Sequence, residues 1–511
     1  MVPPAVSLIG IDKRFGAVHA NRAVDLTIAR GSIAGIVGEN GAGKSTLMSI
    51  LYGFYAADAG EIRIRGRPVS IRNSSDAIAL GIGMVHQHFM LVDTFTVLEN
   101  VMLGAEGGAV LAAGLRAGRA TLERLERDYG LGVDPDALVG DLPVGAQQRV
   151  EILKALYRGA EILILDEPTG VLTPAETEQL FRILRTLKAR GTTVILITHK
   201  LREIMAVTDR VVVMRAGAVV AERDTAATTI EELAELMVGR KVRLDFAIAP
   251  CRPGPVLLKA EHLRVRDGRG VVRLDEVSFE LRAGEIVGVA GVSGNGQTEL
   301  LEVLSGIRPL ESGRLTVGDR VVTAEAPADP AAMRALGLAH VPEDRHRLGL
   351  VTAFAATESS VLGYQRDPAY VRGPFSDQPA MSRHCAGVME RYDVRPRDPK
   401  LRSAGFSGGN QQKLILGREL NREPKILLAG QPTRGLDIGA IEFVHRRLIE
   451  RRDAGCAVLL VSVELEEILS LSDRILVMCG GRIAGQLDRA EADERKIGLL
   501  MAGAQGTAQA A

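Results

Sequence analysis

No uncharged apolar run in the sequence approaches the roughly 18 residues that a membrane-spanning helix needs. If the protein works at a membrane, other chains must supply the spans. The first ten residues, MVPPAVSLIG, lack the basic start and long apolar core of a secretory leader. Neither charge is in excess: 63 Lys and Arg stand against 63 Asp and Glu. A protein covering nucleic acid over a wide surface would be more basic, so no nucleic-acid partner is expected. Cysteine is scarce. Cys251, Cys385, Cys456 and Cys479 are far apart, with no CxxC pair and no His at ligand spacing. This excludes a disulfide framework and argues for reduced thiols acting as small apolar side chains. What remains is ordinary globular composition, 46% apolar and 25% charged over 511 residues, enough chain for roughly two to four domains.

The chain repeats itself. GSIAGIVGENGAGKSTL (31–47) is matched by GEIVGVAGVSGNGQTEL (284–300), which sets Lys44 against Gln297. LPVGAQQRVEILKALYRGAEILILDEPT (142–169) is matched by FSGGNQQKLILGRELNREPKILLAGQPT (406–433), which sets Asp166 against Gly430. Motif order is preserved and the period is a whole domain, so a domain is duplicated. The expected limits are 5–240 for the first domain, 241–255 for a linker marked by Pro250, Pro253 and Pro255, 256–503 for the second, and 504–511 for a disordered tail.

Each half reads as α/β. The apolar runs 33–37, 162–165 and 194–197 have the character of buried parallel strands, and each ends in a polar set: GENGAGKS, DEPT, THK. Ligands of open α/β sheets lie beyond the carboxyl ends of strands, so the three sets should share one crevice. The stretch 91–140 is rich in helix formers and predicts an inserted helical subdomain.

Gly38-Glu39-Asn40-Gly41-Ala42-Gly43-Lys44-Ser45, followed by Thr46, fits GxxxxGKS. Such a loop curls backbone N–H groups around phosphate oxygens, places a lysine at the β- and γ-phosphates, and offers a hydroxyl to Mg²⁺. ATP and Mg²⁺ are the expected ligands. Asp166 and Glu167 end an apolar strand. An acid pair behind such a loop suits a Mg²⁺ holder, Asp166, and a group that polarises the attacking water, Glu167. His86 and His88 have no acid or cysteine at useful spacing and are not read as metal ligands.

Leu142-Pro143-Val144-Gly145-Ala146-Gln147 and Phe406-Ser407-Gly408-Gly409-Asn410-Gln411 resemble the LSGGQ signature of ABC ATPases. The resemblance covers almost the whole chain. It implies two tandem P-loop domains, each a RecA-like core with an inserted helical subdomain and an antiparallel β part. It implies that Gln87 is the Q-loop residue, also near the metal, that His199 is the switch histidine, and that Phe15 stacks on adenine. Taken singly, His199 reads as a structural histidine and Phe15 as core.

Two such domains without spans are similar to the ATPases of ribose, galactose and nucleoside importers. The phrases MVHQHFMLVDTFTVLENVMLG (84–104) and HVPEDRHRLGLV (340–351) are most similar to the nucleoside branch. The implied partners are two transmembrane permease subunits and an extracytoplasmic solute-binding protein or lipoprotein. The implied location is the cytoplasmic face of the cell membrane. Alternatives are a soluble twin-domain ABC ATPase acting on ribosomes, and the ATPase of an exporter.

The second half departs from the pattern. Its loop runs Gly291 to Thr298 with Gly296 retained, but Gln297 replaces the lysine; Gly430 and Gln431 replace the acids. Glu343 stands at the Q-loop position, Val463 at the histidine position, and no aromatic lies near Arg264 to Asp267. ABC domains pair head to tail, each ATP lying between one P-loop and the other signature. The resemblance therefore implies one complete composite site, from Lys44, Asp166, Glu167 and His199 with Ser407, Gly408 and Gly409. It implies one degenerate site, in which Pro143 and Val144 replace the signature serine and a glycine. Proline is tolerated in a first helical turn, so Pro143 need not disturb the fold.

Overall fold

A computed structural model describes residues 3–16, 18–86, 89–105, 111–170, 172, 174–242, 248–292 and 294–501, with the side chains of 111–113 and 174 undescribed. Gln87, Thr173, the segment 243–247 and the expected tail 504–511 therefore lie outside the described residues. The chain divides into two compact units, Met1–Val242 and Arg243–Ala511.

In the first unit a six-stranded sheet has the order Ala218–Asp224, Arg210–Arg215, Ile33–Gly38, Thr193–Ile197, Ile162–Asp166, Ile82–Val85. Five strands are parallel, and Ala218–Asp224 pairs antiparallel at the edge. The three strands named in the sequence are buried at every residue, which is why they read as continuous apolar runs: both faces of a parallel sheet are covered. A second, antiparallel sheet runs Val18–Ile28, Val6–Phe15, Ala59–Ile64, Arg67–Val69. Its inward residues Val6, Leu8, Ile11 and Leu26 share a core with Ile36, Ile195 and the helix residues Leu47 and Leu51. That packing fixes the helix Lys44–Leu51 beneath the antiparallel layer and aims its N-terminus at the crevice.

The helical insertion contains the helices Val97–Met102, Leu111–Tyr129 and Val144–Tyr157. Thr96 and Glu99 form a capping box at the first. Asn100 is fully buried and bonds the Val92 amide and carbonyl, satisfying backbone groups of the loop that leads in.

The second unit repeats the plan. Its large sheet has the order Leu338–Val341, Ile426–Gly430, Ala457–Ser462, Ile286–Ala290, Arg474–Cys479, Arg482–Asp488. Its antiparallel sheet has the order Val272–Arg282, Val256–Arg266, Ser312–Val317, Arg320–Val322. Residues from the expected linker lie against this unit: Arg452 donates to the Ala249 carbonyl at 3.2 Å, and the Gly254 amide to the Ala283 carbonyl at 2.8 Å. All four cysteines are unbridged. No helix among the described residues is long and apolar enough to cross a membrane.

Candidate nucleotide site

In the first unit the strand Ile33–Gly38 delivers the chain into the glycine loop at its carboxyl end. Gly43 caps the following helix at φ 95°. A Cβ there would run into the Ala20 carbonyl and lie 2.8 Å from Asn21 Nδ2, so both conformation and space require glycine. Asn21, fully buried, donates to the Gly43 carbonyl at 3.1 Å and holds the loop from outside. Lys44 is buried and its ammonium donates to the Gly38 and Glu39 carbonyls at 2.7 and 3.0 Å, folded back across the loop.

The neighbouring strands bring the other polar sets to the same edge. Asp166 ends its strand with its carboxyl bonded to the Ser45 hydroxyl. Burial raises the Asp166 carboxyl above its usual range; the Ser45 bond and the Lys44 charge oppose this, and the Glu167 charge reinforces it. A carboxylate and a hydroxyl meeting beside a phosphate-type loop is an oxygen donor set, which suits Mg²⁺. Glu167 adopts φ 46° while its amide bonds the Ile197 carbonyl at 2.8 Å. This backbone turns its side chain to His199, whose Nδ1 lies 3.0 Å from Glu167 Oε1. The His199 bond, more than any other influence, holds the Glu167 carboxyl below its usual range. An ionised carboxylate fixed by an imidazole has the right character for a proton acceptor.

Phe15 ends its strand 41% exposed, with its ring 5.1 Å from Tyr55 at 71° and Lys13 Nζ 5.4 Å from its centroid. An exposed ring supported on one side offers its other surface for stacking. Lys44, Ser45, Asp166, Glu167 and His199 are thus brought together; Gln87 lies outside the described residues.

Sequence reasoning missed a support behind this edge. Glu203 is buried and accepts from Thr169 Oγ1 at 2.5 Å and Thr198 Oγ1 at 3.1 Å. It ties the loop after the acids to the end of the histidine strand. Nothing in its local sequence marks it, because the partner that makes it a tie, Thr169, is 34 residues away in the chain.

The two signatures differ at their caps. Ser407 is the N-cap of the helix Gly408–Leu420, and Asn410 Nδ2 donates to its hydroxyl at 2.9 Å. Pro143 is the N-cap of Val144–Tyr157. An N-cap has extended backbone, which proline adopts readily. Arg345, also missed, lies against Gly408: a Cβ on that glycine would be 2.9 Å from Arg345 Nη2.

In the second unit Gln431 keeps the φ of 46° seen at Glu167, and its amide bonds Val461 at 2.8 Å. The backbone is conserved where the acid is gone. Gln431 Oε1 accepts from the Val463 amide at 3.3 Å, in place of any imidazole contact.

Known proteins bear on these observations. The ABC transporter family profile matches residues 21–170 and 274–434. The chain is 46% identical over 498 residues to a nucleoside import ATP-binding protein of Lactococcus lactis, covering 98% of each. It is 46% identical over 499 residues to a guanosine import ATP-binding protein of Bacillus subtilis, covering 98% of this chain and 97% of that one. It is 39% identical over 507 residues to a ribose import ATP-binding protein of Chromobacterium violaceum, covering 98% of each.

Proposed function

This chain belongs to the ABC transporter ATP-binding proteins, and from that premise we propose that it powers nucleoside import by hydrolysing ATP at one of two unequal sites. The carrying observation is the cluster of Lys44, Ser45, Asp166, Glu167 and His199 at one sheet edge, set against Gln297, Gly430, Gln431 and Val463 at the equivalent edge. Relatives of nucleoside name support the solute, with a simple sugar as runner-up because the ribose relative also spans the chain. That these relatives are import proteins favours import over the exporter and ribosome alternatives.

In the working site the loop 38–45 wraps the phosphate chain with backbone N–H groups, and Lys44 neutralises charge at its end. Ser45 and Asp166 would hold Mg²⁺; bound there, the ion would spread the charge that builds on the phosphates. Glu167 accepts a proton from the attacking water, and His199 keeps that carboxylate ionised and aimed. Phe15 stacks on adenine. The second site, with Pro143 in its signature, binds nucleotide without cleaving it and favours closure as a ligand. We take the domains to be 5–240 and 256–503; the division into Met1–Val242 and Arg243–Ala511 supports two units and groups most of the linker 241–255 with the second. Two permease subunits hold this chain at the cytoplasmic membrane face, and an extracytoplasmic solute-binding protein or lipoprotein completes the transporter.

The test is single-turnover hydrolysis on the assembled transporter, counting ATP cleaved per complex. Glu167→Gln abolishes turnover and leaves ATP bound, since loss of a general base costs about 10²–10⁴ in rate. Gln431→Ala changes the rate only modestly. Substantial turnover in Glu167→Gln, or its loss in a folded Gln431→Ala, would show the working site to be misassigned.

A further inference from the structure

The two units differ at a groove between the sheet core and the helical insertion. In the first unit a cavity of about 260 Å³ opens there. Phe54, Met84, Met90 and Leu103 make its apolar walls, and Phe54 and Met90 are 47% and 61% exposed. The same cavity is lined by Glu151, on the helix Val144–Tyr157, and by Arg158, which caps that helix. Glu151 is 3% exposed, yet its Oε1 has no hydrogen-bond partner among the described residues. Lys154 Nζ stands 3.7 Å from it and donates instead to the Met90 carbonyl at 2.7 Å. Arg158 Nε is likewise buried without a partner. A buried carboxylate oxygen that lacks a donor is costly, and native proteins rarely keep one.

The second unit meets the same need within its own chain. The matched segments 142–169 and 406–433 set Glu151 against Ile415, Ala155 against Glu419 and Arg158 against Arg422. Glu419, one turn beyond Ile415, is 1% exposed and both its oxygens are taken. Oε2 accepts from the Tyr364 hydroxyl at 2.7 Å, and Oε1 from Arg418 Nε at 2.7 Å. The Tyr364 ring also meets two guanidiniums: Arg422 Cζ lies 4.1 Å and Arg334 Cζ 5.3 Å from its centroid. Burial and the Glu419 charge push the Tyr364 hydroxyl above its usual range, so it stays a donor. Arg334 lies on the helix Pro330–Ala335, at the place of Ile78 on the helix Ser74–Ala79. Ile78, Ala155 and Arg158 all line the first groove, so the three partners of Tyr364 stand at groove positions. Tyr364 follows Leu362-Gly363 as Ala105 follows Leu103-Gly104. Where the second unit has a tyrosine to fill its groove, the first has an alanine.

We propose that the second unit fills its groove with its own Tyr364, and that the first unit's groove, left open by Ala105, is completed by a partner segment that brings a hydrogen-bond donor to Glu151. The partner is a permease subunit, which rests on the reading that permeases hold this chain. The chemistry of the segment follows from what Tyr364 does for Glu419. It is a neutral hydroxyl or amide among apolar contacts, and not a carboxylate, which Glu151 repels. The two units therefore meet a transporter unequally, one through an inserted segment and the other through a surface already complete.

The test measures association of the purified full chain with its detergent-solubilised permease subunits, alongside the melting temperature of the chain alone. Glu151→Leu should weaken association by about tenfold or more, the scale of a hydrogen bond to a charged group. It should leave the melting temperature unchanged or higher, because a carboxylate lacking a donor does not support the free fold. Glu419→Leu is the contrast: Tyr364 and Arg418 lose their acceptor, and the melting temperature should fall. Ala105→Tyr with Ala155→Glu builds the second unit's filling into the first, and should also weaken association by about tenfold or more. A melting temperature lowered by Glu151→Leu, or association unchanged by it, overturns the role of Glu151. Association of the folded double variant at wild-type strength overturns the open seat. An unchanged melting temperature in Glu419→Leu overturns the self-filled groove. No association of the wild-type chain with its permeases overturns instead the underlying reading of what holds it.

Discussion

Returning an aspartate to position 430 should harm the protein rather than repair it. In Gly430→Asp the new Cβ arrives about 0.7 Å inside the shortest ordinary contact with Glu343 Cγ and with Leu301 Cδ1. Leu301 is 2% exposed and cannot move into solvent. The Glu343 amide, 3.0 Å away, is backbone and cannot move alone. Glu343 can swing aside only by giving up its bond to Thr298. Overpacking of this kind costs about 1–3 kcal/mol, and two carboxyl groups forced together repel further. At about 2–4 °C per kcal/mol for a domain of this size, the transition of the second unit should fall by about 2–12 °C. Scanning calorimetry of the full chain measures it. Glu343→Ala removes the Cγ contact, so the double variant should recover part of the loss, with a coupling of about 0.5–3 kcal/mol in a double-mutant cycle. An unchanged melting temperature in Gly430→Asp, or purely additive effects in the cycle, would refute the claim that Glu343 fills the place of the strand-end acid.

Three further outcomes are expected. Asn21→Ala removes the side-chain bond to the Gly43 carbonyl, which keeps the Leu47 amide as a donor, so stability should drop by about 0.5–1.5 kcal/mol and ATP affinity should weaken, both measurable on the isolated chain. Pro143→Ser places a preferred residue at a helix N-cap and should raise stability by up to about 1 kcal/mol. It should add no second turnover, because Gly430 and Gln431 remain; a doubled single-turnover burst would contradict this. Burial raises the Glu203 carboxyl above its usual range, against the pull of Lys200, Thr169 and Thr198. The native state thus keeps this proton to higher pH than the unfolded chain, so its contribution falls as pH climbs from the ordinary carboxylate range through the raised value. Glu203→Gln should flatten that dependence in urea unfolding across pH, and an unaltered slope would count against the reading.

The motifs that bind phosphate were legible because local chemistry dictates them. A glycine loop after a buried strand, Lys44 and Ser45 at its end, and acids closing another apolar run are constrained by backbone geometry and by charge. They show as fixed residue types at fixed spacing. The duplication and its unequal halves were legible for the same reason, since Gln297, Gly430, Gln431 and Val463 are visible departures from a pattern set by their counterparts. The sequence could not say what those departures do together. Glu343 and Thr298 are 45 residues apart and on different elements. Read singly, one is a lost amide and the other a retained hydroxyl. Only the sheet order, which sets Leu338–Val341 beside Ile426–Gly430, brings a carboxylate onto the loop and makes glycine at 430 a fit rather than a loss. Glu203 and Asn21 were hidden likewise, because a buried polar side chain is defined by the distant groups it satisfies, and those are chosen by packing rather than by neighbours in the chain.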